Sequence, residues 1–418
     1  MKESAKAYYH RDNCRFCKGK DLVKVIDLGN QPLAGGFLDK NQFAQEQNFP
    51  LCLYFCRDCT LLQNLEIIDK DILFRNYFYI SSASRTGVEH FTSYAQEIHN
   101  RCAQKNKKCF IVEIGSNDGV LLLPLKSLGH TVLGVEPSVN VSELARKKGL
   151  EVITDFFTQK VAKDILQNHG NADVITANNV LAHIDDLDEV ILGMKHLLKP
   201  EGILVFEVHY LYDLIEKLQY DTIYHEHFCY DSITSLQNYF AQSGMEIFDV
   251  VQIPMHAGSI RVFVKKKENT VFKKSPAVEK LIEKEKKYGL DKEKIYIKCA
   301  QRIREHKEKL LSTLNTIKKE GQRIVGYGAA GRANTLLNYC NISTDIIEYI
   351  VDESPLRQGK HTPGAHIPIF PVEKFRKDNH DYTLLLAWSY KKEILEKEKA
   401  YRERGGKFII PLPEVSVL

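Results

Sequence analysis

Between residues 76 and 268, short apolar runs alternate with helical stretches: CFIVEIGSNDG, TVLGVEPS, DVITANNV and GILVFEVH follow one another in order. That alternation predicts an α/β unit built on a doubly wound parallel sheet. The pattern resumes beyond residue 320 in RIVGYGAAGRANTLL, IIEYIVDES, YTLLLAWS and KFIIPLP, and predicts a second, smaller α/β sheet. Between the two lies a lysine-rich stretch in which Leu281, Ile282, Ile295, Ile297, Ile303, Leu310, Leu311, Leu314 and Ile317 are compatible with amphipathic helices. Its lysines read as a solvated face. The first 75 residues follow neither pattern and are rich in turns and cysteines. Three units result: 1–75, 76–268, and 269–418, the last combining the helical linker with the second sheet.

A chain of 418 residues exceeds what one core usually holds, in agreement with that division. A hydrophobic content of 44% with 27% charged residues is that of an ordinary globular protein. The net charge of +4 is small for this length and gives only weak support to a nucleic-acid partner. No apolar run approaches the roughly 20 residues that span a bilayer, and MKESAKAYYHRDNC has no apolar leader. A cytoplasmic protein, not membrane-bound and monomeric or weakly homo-oligomeric, is expected.

In that setting clustered cysteines mean metal more often than disulfides. Cys14-Arg-Phe-Cys17 and Cys56-Arg-Asp-Cys59 are paired CxxC turns, and four thiolates from two such turns suit a tetrahedral, structural zinc. Neither turn opens a helix after a strand, so a thioredoxin-like role is disfavoured.

Two glycine loops are candidate nucleotide sites. In the first, FIVEI runs into Glu113-Ile114-Gly115-Ser116-Asn117-Asp118-Gly119, and the next strand ends at Glu136, an acid placed to accept ribose hydroxyls. Asp155 and Phe156 follow the third strand, where an adenine would lie. Asn178 and Asn179 end the fourth, at the carboxyl edge where such sheets bind ligands. ExGxxxG with that acid suits S-adenosylmethionine better than NAD, because no pyrophosphate has to be cradled. The second loop, Gly326-Tyr327-Gly328-Ala329-Ala330-Gly331, is a literal GxGxxG with Asp352 at the expected offset, and by motif alone suits NAD. It also suits any phosphate, including a sugar-nucleotide diphosphate, with Arg332 adding charge.

The stretch Tyr224-His225-Glu226-His227 carries the densest acid/base chemistry. Histidines two apart lack the helical HExxH spacing and have no third ligand, so metal binding ranks low. General acid/base work ranks higher. Tyr77-Phe78-Tyr79 and Ala182-His183-Ile184 are placed to converge on it, and Met255-His256-Ala257-Gly258-Ser259-Ile260-Arg261 reads as an anion grip.

Together these motifs resemble the S-adenosylmethionine-dependent sugar 3-C-methyltransferases of deoxysugar biosynthesis. The resemblance covers essentially the whole chain: CxxC…GNQPLAGGFL…CxxC, YFYISSAS, VEIGSNDG, NNVLAHI, IYHEHFCY, HAGSIRV, VGYGAAGRANTLLNYC, TPGAHIPI and GGKFIIPLPEV. It implies a zinc-binding N-terminal domain, a class I methyltransferase domain and a C-terminal Rossmann-like domain. It implies a dTDP- or GDP-linked 4-keto-6-deoxysugar as substrate, methylated at C3 through an enolate. Carried over by motif, His227 is the C3 base, with Tyr224 and Glu226 as partners and His183 and Tyr79 lining the sugar pocket. The substrate contacts then fall on His256, Ser259, Arg261, Tyr327, Arg332 and Trp388. The chain has Arg332 where the family usually has lysine, His256-Ala257-Gly258 for HGG, and Ser389 where asparagine is common, changes that bear on sugar and nucleotide specificity. A sugar-nucleotide oxidoreductase using NAD(P) at GYGAAG is the rival enzyme. A zinc-stabilised nucleic-acid adaptor is the non-enzymatic one, and no aromatic–basic RNA motif supports it.

Overall fold

The computed structural model describes residues 8–75, 77–103 and 108–418; residues 1–7, part of the N-terminal stretch read above for a leader, lie outside the described residues. The apolar runs of the middle segment become a seven-stranded sheet. Its order is Met245–Ile253, Ser259–Lys266, Leu198–His209, Ala172–Asn178, Phe110–Ile114, Thr131–Val135 and Val152–Ile153. The last five run parallel, and the first two close the sheet as an antiparallel hairpin. The chain winds outward from Phe110–Ile114, then returns to start Ala172–Asn178 on its other side. That reversal opens a crevice at the carboxyl ends of these two strands.

The second α/β run forms a six-stranded sheet in the order Ile369–Phe370, Ile350–Val351, Ile324–Tyr327, Tyr382–Leu385, Lys407–Ile410 and Ser416–Val417, antiparallel only at its final strand. The lysine-rich stretch is helical, as expected, over Pro276–Tyr288 and Glu293–Lys319. The long helix buries Tyr296, Cys299, Ile303, His306, Leu310, Leu314 and Ile317, one stripe at three- and four-residue spacing. Ile297 falls off that stripe and is half exposed.

The N-terminal unit is an antiparallel sheet of Leu22–Pro32, Asn48–Cys56 and Leu62–Asn64. Its fourth strand is Cys229–Tyr230, the tail of the YHEHFCY stretch. The long helix packs on Leu22–Pro32, and one apolar core runs from this small sheet through that helix into the C-terminal sheet. A second core joins the cysteine turns to the central sheet. No helix among the described residues is long and apolar enough to cross a membrane.

Candidate active site

Residues from all three units line one cavity of about 610 Å³, a size typical of ligand sites. The end at which a cofactor is expected is built on the first glycine loop. Gly115 has φ +67°, and a Cβ there would lie 2.3 Å from Val180, so only glycine lets the strand turn beneath the crevice. Glu136 accepts the Asn117 amide (2.8 Å) and the Ser138 amide (2.9 Å). Burial raises its pKa while those amides oppose the rise. Gly115, Asn117, Glu136, Phe156, Asn178 and Asn179 all face the cavity.

Other residues expected here stand behind that wall. Glu113 is buried, accepts from Asn178 Nδ2 at 3.1 Å and orients that amide; burial pushes its carboxyl well above the usual carboxylate range. Asp118 is buried against Lys148 Nζ (2.6 Å) and Ser82. Gly119 packs on Leu150, and Asp155 is exposed, accepting the Phe156 amide at 2.8 Å. Lys70 Nζ and Arg75 Cζ each lie 4.6 Å from the centre of the Phe156 ring.

The strap carrying Tyr77 and Tyr79 is fastened to the cofactor loops. Asn140 Nδ2 donates to the Tyr77 carbonyl (2.9 Å), Asn117 Nδ2 to the Tyr79 carbonyl (3.1 Å), and the Ser81 amide to Asn117 Oδ1 (2.9 Å). The Tyr77 hydroxyl in turn donates to Glu226 Oε2 at 3.2 Å. Glu226 also presses on Gly35, where a Cβ would lie 2.7 Å from Oε1. Burial is the largest influence on Glu226 and lifts its pKa to about 7.

His227 stands beside it. Its Nδ1 lies 2.7 Å from the Thr222 carbonyl oxygen, which can only accept, so Nδ1 carries the hydrogen and Nε2 is the basic nitrogen. Burial lowers the His227 pKa to about 4, which keeps the ring neutral at physiological pH. Tyr224 packs on it at a tilt of 33° (4.0 Å between ring centres) and His183 lies 4.9 Å away. His183 is held against Phe74, and its Nε2 has no partner among the described residues. His225 points the other way: Nε2 donates to the Pro50 carbonyl at 3.0 Å, pinning the stretch to the small sheet.

The four cysteines expected to bind metal meet, with Cys14–Cys59 and Cys17–Cys56 sulfurs 3.5 and 3.6 Å apart and all four within 4.8 Å. Sulfurs bonded at ~2.3 Å to one tetrahedral zinc need such an arrangement. Between the first two, buried Arg15 donates to the Phe228 carbonyl (3.1 Å) and reaches Asp185 (3.2 Å). The metal turn thereby grips the residue next to His227.

The expected substrate contacts divide. His256 and Arg332 line the cavity. Arg332, however, donates to both oxygens of buried Asp221 (2.8 and 2.9 Å), and Trp388 Nε1 donates to the same carboxylate (2.7 Å). Trp388 lies behind the wall, whereas its neighbours Ser389 and Tyr390 face the cavity. Tyr327 is buried and donates to Glu398 at 3.2 Å. The 255–261 segment does not form the expected anion grip. The Gly258 amide donates to the Met255 carbonyl (2.9 Å), and Ser259 Oγ donates to that carbonyl too (3.1 Å). Arg261 points into the core onto Glu207 and Glu97, over the Tyr94 ring. Sequence reasoning did not single out Asp221, Arg357, His209 or Gly35; Gly35 at least belongs to the quoted GNQPLAGGFL run.

The NAD reading finds no support. Asp352 is buried, accepts the Ala329 amide (2.6 Å) and the Ser354 amide (2.7 Å), and, unlike Glu136, does not line the cavity. The small sheet's loop caps the glycine turn, with Asn334 Nδ2 donating to the Ala34 carbonyl at 2.6 Å.

Three family models cover the chain in succession: a zinc binding domain over residues 14–74, a methyltransferase domain over 88–250, and a C-methyltransferase C-terminal domain over 254–413. C-methyltransferase NovU of Streptomyces niveus is 35% identical over 411 residues, 97% of this chain and 97% of that one. The chain belongs to the C-methyltransferase family. The ubiquinone biosynthesis O-methyltransferase of Colwellia psychrerythraea is 31% identical over 98 residues, 23% of this chain and 40% of that one. Among solved structures, magnesium protoporphyrin IX methyltransferase from Synechocystis aligns with 14% identity and a TM-score of 0.33, over 45% of this chain and 85% of that one. This C-methyltransferase is therefore S-adenosylmethionine-dependent, with a structural zinc in its four-cysteine cluster.

Proposed function

We propose that the enzyme methylates C3 of a nucleotide-linked 4-keto-6-deoxyhexose. The observation that carries this reading is the state of His227: a neutral imidazole with Nδ1 committed to a carbonyl and Nε2 left basic, on the wall of the cavity that holds Glu136 and Asn117. A ring in that state accepts a carbon-bound proton once an adjacent ketone has acidified it. In this reading Nε2 of His227 takes the C3 proton, and the electron pair of the C–H bond moves onto the C4 oxygen. Protonated Glu226, steadied by Tyr77, donates a hydrogen bond to that oxygen, with Tyr224 holding the His227 ring. S-adenosylmethionine, held beside Glu136 and Asn117, would supply the methyl, the S–CH3 electron pair staying on sulfur as S-adenosylhomocysteine leaves; C3 takes the methyl, and the ketone re-forms. His183 and Tyr79 line the sugar's side of the pocket.

The test is an incubation of purified protein with S-adenosylmethionine and dTDP- or GDP-linked 4-keto-6-deoxysugars, followed by mass spectrometry. A product heavier by one methyl, borne on C3 by NMR, is expected. Transfer to an oxygen, or to C5, would remove the reading.

A further inference from the structure

Three cationic side chains line the cavity among the described residues: Lys70, Arg332 and Arg357. Lys70 lies over Phe156 at the cofactor end, and Arg332 is held by both oxygens of Asp221. Arg357 differs from both. It is 9% exposed, its Nη1 lies 3.4 and 3.5 Å from the Asp352 oxygens, and its buried Nε has no partner among the described residues. That contact is loose beside the 2.8 and 2.9 Å pairing of Arg332 with Asp221, and it engages Nη1 alone. A buried guanidinium with an unused N–H is costly unless an acceptor arrives.

Asp352 links Arg357 to the glycine turn through the Ala329 amide. Just beyond, Ala330 and Gly331 face the same cavity at the start of helix Gly331–Tyr339, whose N-cap, Ala330, has no side-chain acceptor to cover the first-turn amides. A helix start favours an anion, and a guanidinium matches phosphate oxygens in a planar, bidentate way. We propose that Arg357, with the first turn of this helix, binds the diphosphate of the nucleotide-linked substrate, and that Arg332 instead fastens the C-terminal sheet to Asp221. The assignment rests on the sugar-nucleotide reading above and moves the diphosphate cation from the residue that the sequence offered to one that it did not.

The experiment compares the wild type with Arg357→Gln and Arg357→Lys. It reads KM and kcat for the nucleotide 4-keto sugar, calorimetric binding of dTDP and GDP, S-adenosylhomocysteine binding, and Tm. For Arg357→Gln, KM and the nucleoside diphosphate Kd should rise roughly 10- to 100-fold, with kcat within about threefold and S-adenosylhomocysteine affinity unchanged. Arg357→Lys should fall between, because it keeps charge without the fork. Should the glutamine variant fold poorly, the lysine variant decides. Wild-type KM and diphosphate affinity in a folded variant would overturn the assignment alone. A wild-type protein that neither binds a nucleoside diphosphate nor methylates the sugar would overturn the proposed function, and this assignment with it.

Discussion

Glu226 and His227 are neighbours in sequence and are pushed in opposite directions by one cause, burial, which favours the neutral form of each. Just below neutrality the cavity wall therefore offers an acid that still holds its proton and a base that holds none on Nε2. Two such groups side by side suit a reaction in which carbon loses a proton while an oxygen gains charge. The sign for Glu226 is definite: with a pKa of about 7 it is a donor below that pH and a carboxylate above it. The pH profile of kcat/KM should therefore fall as pH rises through about 7. Glu226→Gln, which keeps a donor at every pH, should flatten that limb, and an unchanged limb in the variant would show that another group titrates.

At the scale of elements, the residues proposed for catalysis are placed by pieces distant in sequence. The YHEHFCY stretch is tied down three times by the N-terminal unit: His225 on Pro50, Arg15 on the Phe228 carbonyl, and Cys229–Tyr230 as a strand beside Leu62–Asn64. The zinc turn is thus a support for the proposed catalytic stretch as well as a fold device. Arg15→Met should leave one zinc per chain by elemental analysis and lower kcat about tenfold, the effect of one lost charged hydrogen bond. Stripping the metal should lower Tm and abolish methyl transfer together, both recovering on adding zinc. Full activity in Arg15→Met would break the link between metal turn and catalysis.

Much of this was legible in the sequence because it depends on local spacing. The CxxC pairs, the first glycine loop with Glu136 and the acid/base stretch each need only a few neighbouring residues to be recognised. Arg261 was misread because proximity in MHAGSIR says nothing about which face of a strand a residue occupies. In the Ser259–Lys266 strand it pairs with Glu207, on the face turned toward the core. Asp221 and Arg357 left no local signal, since their meaning comes from partners in other sheets. Across the whole molecule, Asp221 is the clearest such case: it lies on the turn before the catalytic stretch and holds both Arg332 and Trp388 of the C-terminal unit. Asp221→Ala leaves a buried guanidinium unpaired, so unfolding should become easier by about 3–5 kcal/mol, read by calorimetry on the full chain; an unaltered transition would mean that the junction does not depend on this ion pair. The same continuity of core and strap ties the first glycine loop, the YHEHFCY stretch and the C-terminal sheet around one cavity. Proton abstraction by His227 is the step proposed for that cavity. The most direct measurement is NMR of the nucleotide 4-keto sugar in heavy water with enzyme and S-adenosylhomocysteine, comparing wild type with His227→Asn. The wild type should wash deuterium into C3, and the variant, still binding S-adenosylhomocysteine, should not; equal wash-in by the two proteins would contradict the assignment of His227 as the base.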